Sequence, residues 1–309
     1  MHPSLSQAEH ETISAFLELV VKLNEATFKP FFRKLYDWAF TQESGKKMSP
    51  LPSPSKAHTE ISHEEERKRA VFCRVYSALL DHFKALMTPY MSFMIQAFTD
   101  LLESFSKSED PDPELWSSLI QLLGKSFEVD EAGTIFNLFS IPPPILSNPN
   151  SPLEFFKRKK KKTAFWREDR LKKISIPLVS QIPVVCNSST GASGESNRRS
   201  LLSNALCALA GAVSEDYDER GGGSGGALLK SLNLGILMRT RSEDAKQRIL
   251  SVQCATELWK TNGIKLVGFV AETSTFIAEL AEDDNDTVVK ETRRLKKAVE
   301  DVGGPIDGL

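Results

Sequence analysis

The chain has 309 residues, 40% of them apolar, and a formal net charge of -2. That length suits two ordinary domains or one elongated repeat array, and that apolar share excludes wholesale disorder. The four cysteines (Cys73, Cys186, Cys207 and Cys254) are far apart and form no CxxC pair, which excludes a clustered zinc site and a disulfide-stapled secreted scaffold.

Residues 2–11 are polar, without the apolar centre of a signal peptide, and no apolar run reaches the roughly 18 residues of a membrane span. The expectation is a soluble intracellular protein. Ile13, Phe16, Leu17, Val20 and Leu23 then recur at helical spacing. Thr27-Phe28-Lys29-Pro30 reads as a break and restart, with Pro30 in the first turn of the next helix. Phe31, Leu35, Trp38 and Ala39 form the stripe of that helix. Residues 45–62 are a loop, because Pro50, Pro52 and Pro54 forbid a helix interior. From Glu64 a helix carries Val71, Phe72, Val75, Leu79, Phe83 and Leu86 on one face. Thr88-Pro89 and Asp112-Pro113 each read as an N-cap followed by an N1 proline. Residues 140–152 hold five prolines and read as a loop or insertion. Residues 182–185 are the best strand candidate, interrupted by Pro183. Residues 187–197 are Ser/Gly-rich, 201–213 are helical, and Gly221 to Gly226 is a linker by composition.

Hydrolase and kinase motifs are missing: there is no GxSxG, HExxH or GxxxxGK[ST]. Gly221 to Gly226 has the glycine spacing of a phosphate loop, but Ala227 stands where its lysine is required. His58 and His63 lie near several glutamates, yet their i, i+5 spacing separates them on a helix. No catalytic residue, metal, cofactor or small-molecule substrate is therefore expected. The run Lys157-Arg158-Lys159-Lys160-Lys161-Lys162 lies in a stretch, 157–173, with ten Lys/Arg against Glu168 and Asp169. Six adjacent cations repel one another and must be exposed. They read as an import signal or RNA contact, or equally as a solvated loop.

Asp284-Asn285-Asp286-Thr287-Val288-Val289-Lys290 fits the D-x-D-x-x-V-[KR] signature of a HEAT inter-helix turn. In that signature Asp284 and Asp286 cap the second helix, Val289 packs inward and Lys290 sits on the next turn. Ser242-Glu243-Asp244-Ala245-Lys246-Gln247-Arg248 is a degraded copy 42 residues upstream, pairing Asp244 with Asp286, Leu234 with Phe276 and, imperfectly, Gln253 with Leu295. A HEAT unit spans about 40–47 residues. The expected fold is all-α, a HEAT-repeat-type α-solenoid of stacked antiparallel helix pairs with disordered insertions. Residues 1–139 would hold the N-terminal helical repeats, 140–164 a proline/lysine-rich insertion, and 165–309 the C-terminal repeats, with flexible loops at 187–197 and 219–226.

Several blocks together resemble one family. They are VKLNEATFKPFF (21–32) followed by LYDWA (35–39), LMTPY (86–90), FWREDRL (165–171), LNLGILMRTRSED (232–244), CATELW (254–259) and ETSTFIAELAEDD (272–284). In this order they are similar to the C-terminal domain of the U-three small nucleolar RNA-associated protein ten family, also called HEAT repeat-containing protein one. The resemblance covers most of residues 15–302. It implies a non-catalytic scaffold of the small-subunit processome in the nucleolus, needed for rRNA transcription and for the cleavages that release 18S rRNA. The implied partners are other processome proteins, pre-rRNA and small nucleolar ribonucleoprotein, directly or indirectly. Residues 131–165 and 221–226 depart from the family pattern, where shorter connections are expected. A HEAT-type transport receptor or phosphatase scaffold is the alternative.

Overall fold

The computed structural model describes residues 3–41, 63–129, 165–187, 192–213 and 224–306. Among the described residues there are twelve α-helices and no strand. They are α1 (Pro3–Val20), α2 (Glu25–Phe40), α3 (His63–Phe83), α4 (Ile95–Lys107), α5 (Pro113–Val129) and α6 (Glu168–Val179). After these come α7 (Gln181–Asn187), α8 (Ala192–Ala212), α9 (Ser224–Met238), α10 (Ala245–Leu266), α11 (Val270–Ala281) and α12 (Asp286–Gly303). The basic run 157–162, the prolines of 142–152 and Gly221 to Gly223 lie outside the described residues.

Short polar side chains cap four of the helix starts, at Asn24, Asp112, Asp244 and Asn285. Asn24 Oδ1 accepts the Thr27 N–H at 2.9 Å and Asp112 Oδ1 accepts the Leu115 N–H at 2.6 Å. Asp244 Oδ1 likewise accepts the Lys246 N–H at 3.0 Å. Each satisfies an N–H that the helix itself cannot, an effect of about 1 kcal/mol. Gly304, at φ 84°, ends α12; an L side chain is disfavoured there, and Pro305 prevents continuation.

The helices stack in two rows. One row runs α3, α5, α8, α10, α12, each packed on the next; the other runs α4, α6, α9, α11. The Phe40 and Phe98 rings, 6.0 Å apart, bring α2 against the start of the second row. α5 and α8 pack directly although 62 residues separate Val129 from Ala192 only by count along the chain, so the core is continuous across that gap. This is an all-α solenoid, and it explains the 3.6-residue stripes: each helix buries one face against both its row neighbours and the opposite row. Trp116, Trp166 and Trp259 are among the largest fully buried side chains. Each indole N–H finds an acceptor: Gln181 Oε1 (3.1 Å), the Ser126 carbonyl (3.1 Å) and Asn233 Oδ1 (3.2 Å), respectively. A buried indole left unpaired would lose most of what its area contributes.

Gln181 ties the rows together. Besides accepting from Trp116 on α5, its amide donates to the carbonyls of Leu102 (2.8 Å) and Pro177 (2.9 Å) and to Ser106 Oγ (3.1 Å). Asn233 does the same further along, donating to Thr273 Oγ1 at 3.1 Å while accepting from Trp259. Lys265 donates to the carbonyls of Gly211 (2.8 Å) and Val213 (2.9 Å), placing a cation at the negative end of α8.

Five local expectations are corrected. α2 starts at Glu25, capped by Asn24, so Pro30 lies inside the helix rather than in its first turn. The lost hydrogen bond is tolerated because Phe28 and Phe32, on either side, are buried against the Tyr90 ring at 5.4 and 5.0 Å. Thr88 is not an N-cap: Thr88–Phe93 is a 3₁₀ segment, and α4 begins only at Ile95. The Tyr76 hydroxyl donating to the Met87 carbonyl (2.6 Å) holds that tighter backbone in place. Ile182 to Val185 is helical, with Pro183 third in α7, where its N–H would have had no intrahelical partner. The Ser/Gly-rich residues from Ala192 onward form the first turns of α8, and Ser224 to Gly226 opens α9.

Candidate interaction surface

The inter-helix turns of the last two repeats form the best-defined polar constellation. Asn285, not an aspartate, caps α12: its Oδ1 accepts the N–H groups of Thr287 (2.9 Å) and Val288 (3.3 Å). Val288 is fully buried, and Val289 beside it is half-buried. Asp286 is the first, exposed residue of α12, and Lys290 is exposed on the next turn. The inward valine therefore lies one position before the one the signature suggests.

The caps Asp244 and Asn285 set the true repeat. They are 41 positions apart (285 against 244), and that offset superposes buried Cys254 on Leu295 and Leu258 on Val299. In the preceding helices the offset is 40: Asn233, Ile236, Leu237 and Thr240 match Thr273, Phe276, Ile277 and Leu280, all buried. The 42-residue pairing is thus corrected by one residue in one helix row and by two in the other. The last turn is one residue longer than its predecessor.

Arg248 bridges the two turns. Its Nε lies 2.8 Å from Asp283 Oδ2, and its Nη2 donates to Asp283 Oδ1 (2.9 Å) and Asp284 Oδ1 (2.6 Å). Its Nη1 donates to the carbonyls of Ser242 (3.2 Å) and Glu243 (3.0 Å) in its own turn. Asp283 also accepts the Asn285 N–H at 2.9 Å. Burial works against the charge on Asp283, but these donors outweigh it and hold its carboxyl below the usual aspartate range. A parallel rung joins Arg241 to Glu279 through two bonds of 2.9 and 2.6 Å. Asp284 thus takes its place in a charge ladder between repeats. Asp283, which the signature does not single out, is the more buried acceptor of the two. A search for carboxylates within two residues of the turn would have found it.

A cavity of about 270 Å³ opens between α1, α3 and α5, lined by Glu9, Arg67, Arg74 and Glu114 among others. Three of these charges are committed to one another: Arg74 donates to Glu9, through Nε and through Nη2 at 2.9 Å, and to Glu114 at 2.7 Å. Burial opposes the Arg74 charge, yet the two carboxylates outweigh it and raise its pKa. This is a structural clamp that holds α1 on α3 and α5. Among the described residues no group of three or more His, Cys, Asp or Glu could hold a metal, and no helix is long and apolar enough to cross a membrane. His63 makes a 3.2 Å contact with Glu66 on the exposed start of α3. Four thiols are buried, and burial pushes Cys73 and Cys254 up to about 12 and Cys186 and Cys207 up to about 11.

The surface of α12 differs from the sites above in carrying exposed cations most of which have no carboxylate partner among the described residues. Lys290, Arg293, Arg294 and Lys297 are all exposed, at the i, i+3, i+4, i+7 spacing of one helix face. Only Arg294 has a carboxylate partner among the described residues, Glu291 at 2.7 and 3.0 Å.

Residues 2–135 match the family described as the BP28CT (NUC211) domain. The protein named U3 small nucleolar RNA-associated protein 10 from Pyricularia oryzae is 27% identical over 292 residues, covering 93% of this chain. Its namesakes from Neosartorya fischeri and Mycosarcoma maydis are 27% identical over 293 residues and 21% identical over 311. The chain spans only 13%, 14% and 12% of the lengths of these three relatives. The chain is thus similar over residues 2–135 to the BP28CT (NUC211) domain, and along 93% of its length to proteins named U3 small nucleolar RNA-associated protein 10.

Proposed function

We propose that this chain is a non-catalytic scaffold segment acting in ribosome biogenesis, within a nucleolar ribonucleoprotein assembly. The observation that carries this reading is the alignment of 93% of the chain with proteins named for association with U3 small nucleolar RNA. A solenoid suits such a role, because its area grows with each repeat while every repeat needs only its neighbours for stability. The polar groups described above support the same reading: they pair with one another between helices, as structural contacts do. In finer terms, the chain serves the small-subunit processome in pre-rRNA transcription and in the cleavages that yield 18S rRNA. Residues 140–164 are proposed to be a proline/lysine-rich insertion. The run from Lys157 to Lys162 is proposed as an import signal or RNA contact. The test is affinity purification of the tagged chain from nuclei, followed by sedimentation and RNA sequencing. Co-sedimentation with particles holding U3 small nucleolar RNA is expected. Recovery of a small GTPase or a phosphatase subunit without U3 RNA would refute the assignment.

A further inference from the structure

We propose that the outer face of α12 is a direct docking surface for the phosphate backbone of RNA, with Lys290, Arg293 and Lys297 as the contacting cations. The proposal rests on the ribonucleoprotein reading above and assigns the contact to α12, where only Lys290 belongs to the HEAT signature.

Three observations carry it. First, among the described residues α12 is the last helix of its row: α10 packs on one side and α11 on another, and Lys290, Arg293 and Lys297 are exposed. Second, the face has one sign. Exposed Asp286 and Asp301 stand on the same face one turn beyond Lys290 and Lys297, but between them no carboxylate is exposed, since Glu291 is buried and half-buried Glu300 lies 3.7 Å from Lys296. A chain of net charge -2 has therefore gathered several cations on about 10 Å of helix, at 1.5 Å rise per residue. Third, the face has no apolar anchor. Its neighbouring apolar residues (Val288, Leu295, Ala298 and Val299) are buried, and Val289 and Val302 are half-buried. Protein interfaces depend on buried aromatic or aliphatic anchors, whereas a polyanion is bound by cations alone through counterion release. A rigid row of uncommitted cations without an anchor fits a phosphodiester strand better than an acidic peptide.

The test compares the whole chain with K290E/R293E/K297E, and with K290Q/R293Q/K297Q as a milder control. Binding of a labelled single-stranded RNA and a labelled RNA duplex is followed by anisotropy between about 50 and 200 mM salt. All three positions are exposed, so circular dichroism should confirm folded variants. The expected result is a tenfold or greater loss of affinity on charge reversal. The slope of log affinity against log salt should flatten by about 2, from three contacts at about 0.7 each on a single strand. A third variant, with residues 157–162 changed to glutamine, separates the basic run: reversal on α12 should reduce affinity in that background too. Unchanged affinity and slope in K290E/R293E/K297E overturn the proposal. If RNA binding is unchanged but the variant no longer co-sediments with pre-ribosomal particles, the face docks a protein and the RNA assignment fails while the scaffold reading stands.

Discussion

Gly263 lies on α10 where the helix meets the end of α12. A Cβ added there would sit 2.4 Å from Val302 Cγ2 and 3.3 Å from both Val302 Cβ and Cγ1. Turning χ1 of the valine cannot relieve this, because the Cβ itself is already tight and the side chain is short and stiff. Gly263→Ala should therefore force the two helices apart. Overpacking of this kind costs about 1–3 kcal/mol, while replacing glycine by alanine in a helix gains up to about 1 kcal/mol. The expected net loss is about 1 kcal/mol, a fall in Tm of roughly 2–4 °C for a domain of this size. Val302→Ala removes the colliding methyls, so G263A/V302A should be at least as stable as V302A alone. Thermal unfolding of the four proteins closes a double-mutant cycle with a coupling of about 1 kcal/mol. A stabilising Gly263→Ala, or strictly additive effects, would refute the close-packing argument.

Asn285→Ala should cost about 1 kcal/mol by orphaning the N–H groups of Thr287 and Val288, and hydrogen exchange should show the first turn of α12 opening before the rest. Asp283 has a depressed folded pKa, so the stability it contributes is present above its unfolded value of about 3.9 and is lost as pH falls below that, through the folded value. The Tm difference between the wild type and Asp283→Asn should thus be constant near neutrality and shrink toward zero in acid; a difference that grows in acid would reverse the sign of the argument. With their pKa values pushed to about 11 or 12, the four buried thiols should resist alkylation at pH 8 in the native protein and react together on denaturation. Rapid labelling of one thiol without denaturant would show a local opening near it.

Local sequence chemistry was enough to determine that this chain is helical, where most helices run, and that its last third repeats. Apolar residues at 3.6 spacing can bury one stripe only in a helix, and Asp112 and Asp244 cap where short acidic side chains must. The blocks of family resemblance lie largely in these same elements, so the likeness to proteins named U3 small nucleolar RNA-associated protein 10 was legible as well. Register and pairing were not. The one-residue difference between the offsets of the two helix rows arises in a turn, and only burial shows that Val288 rather than Val289 faces the core. Ala192 to Asn197 and Ser224 to Gly226 are helical as first turns of α8 and α9, whose later turns pack along α5 and α10, and along α6 and α10; helix propagating from those packed turns outweighs a propensity deficit of about 1 kcal/mol per glycine. The ladder from Arg248 to Asp283 and Asp284 spans 35 and 36 residues, and stacking two repeats is what brings those charges together. The cationic face of α12 is likewise a product of packing: α10 and α11 bury the apolar side of the helix and leave Lys290, Arg293 and Lys297 exposed.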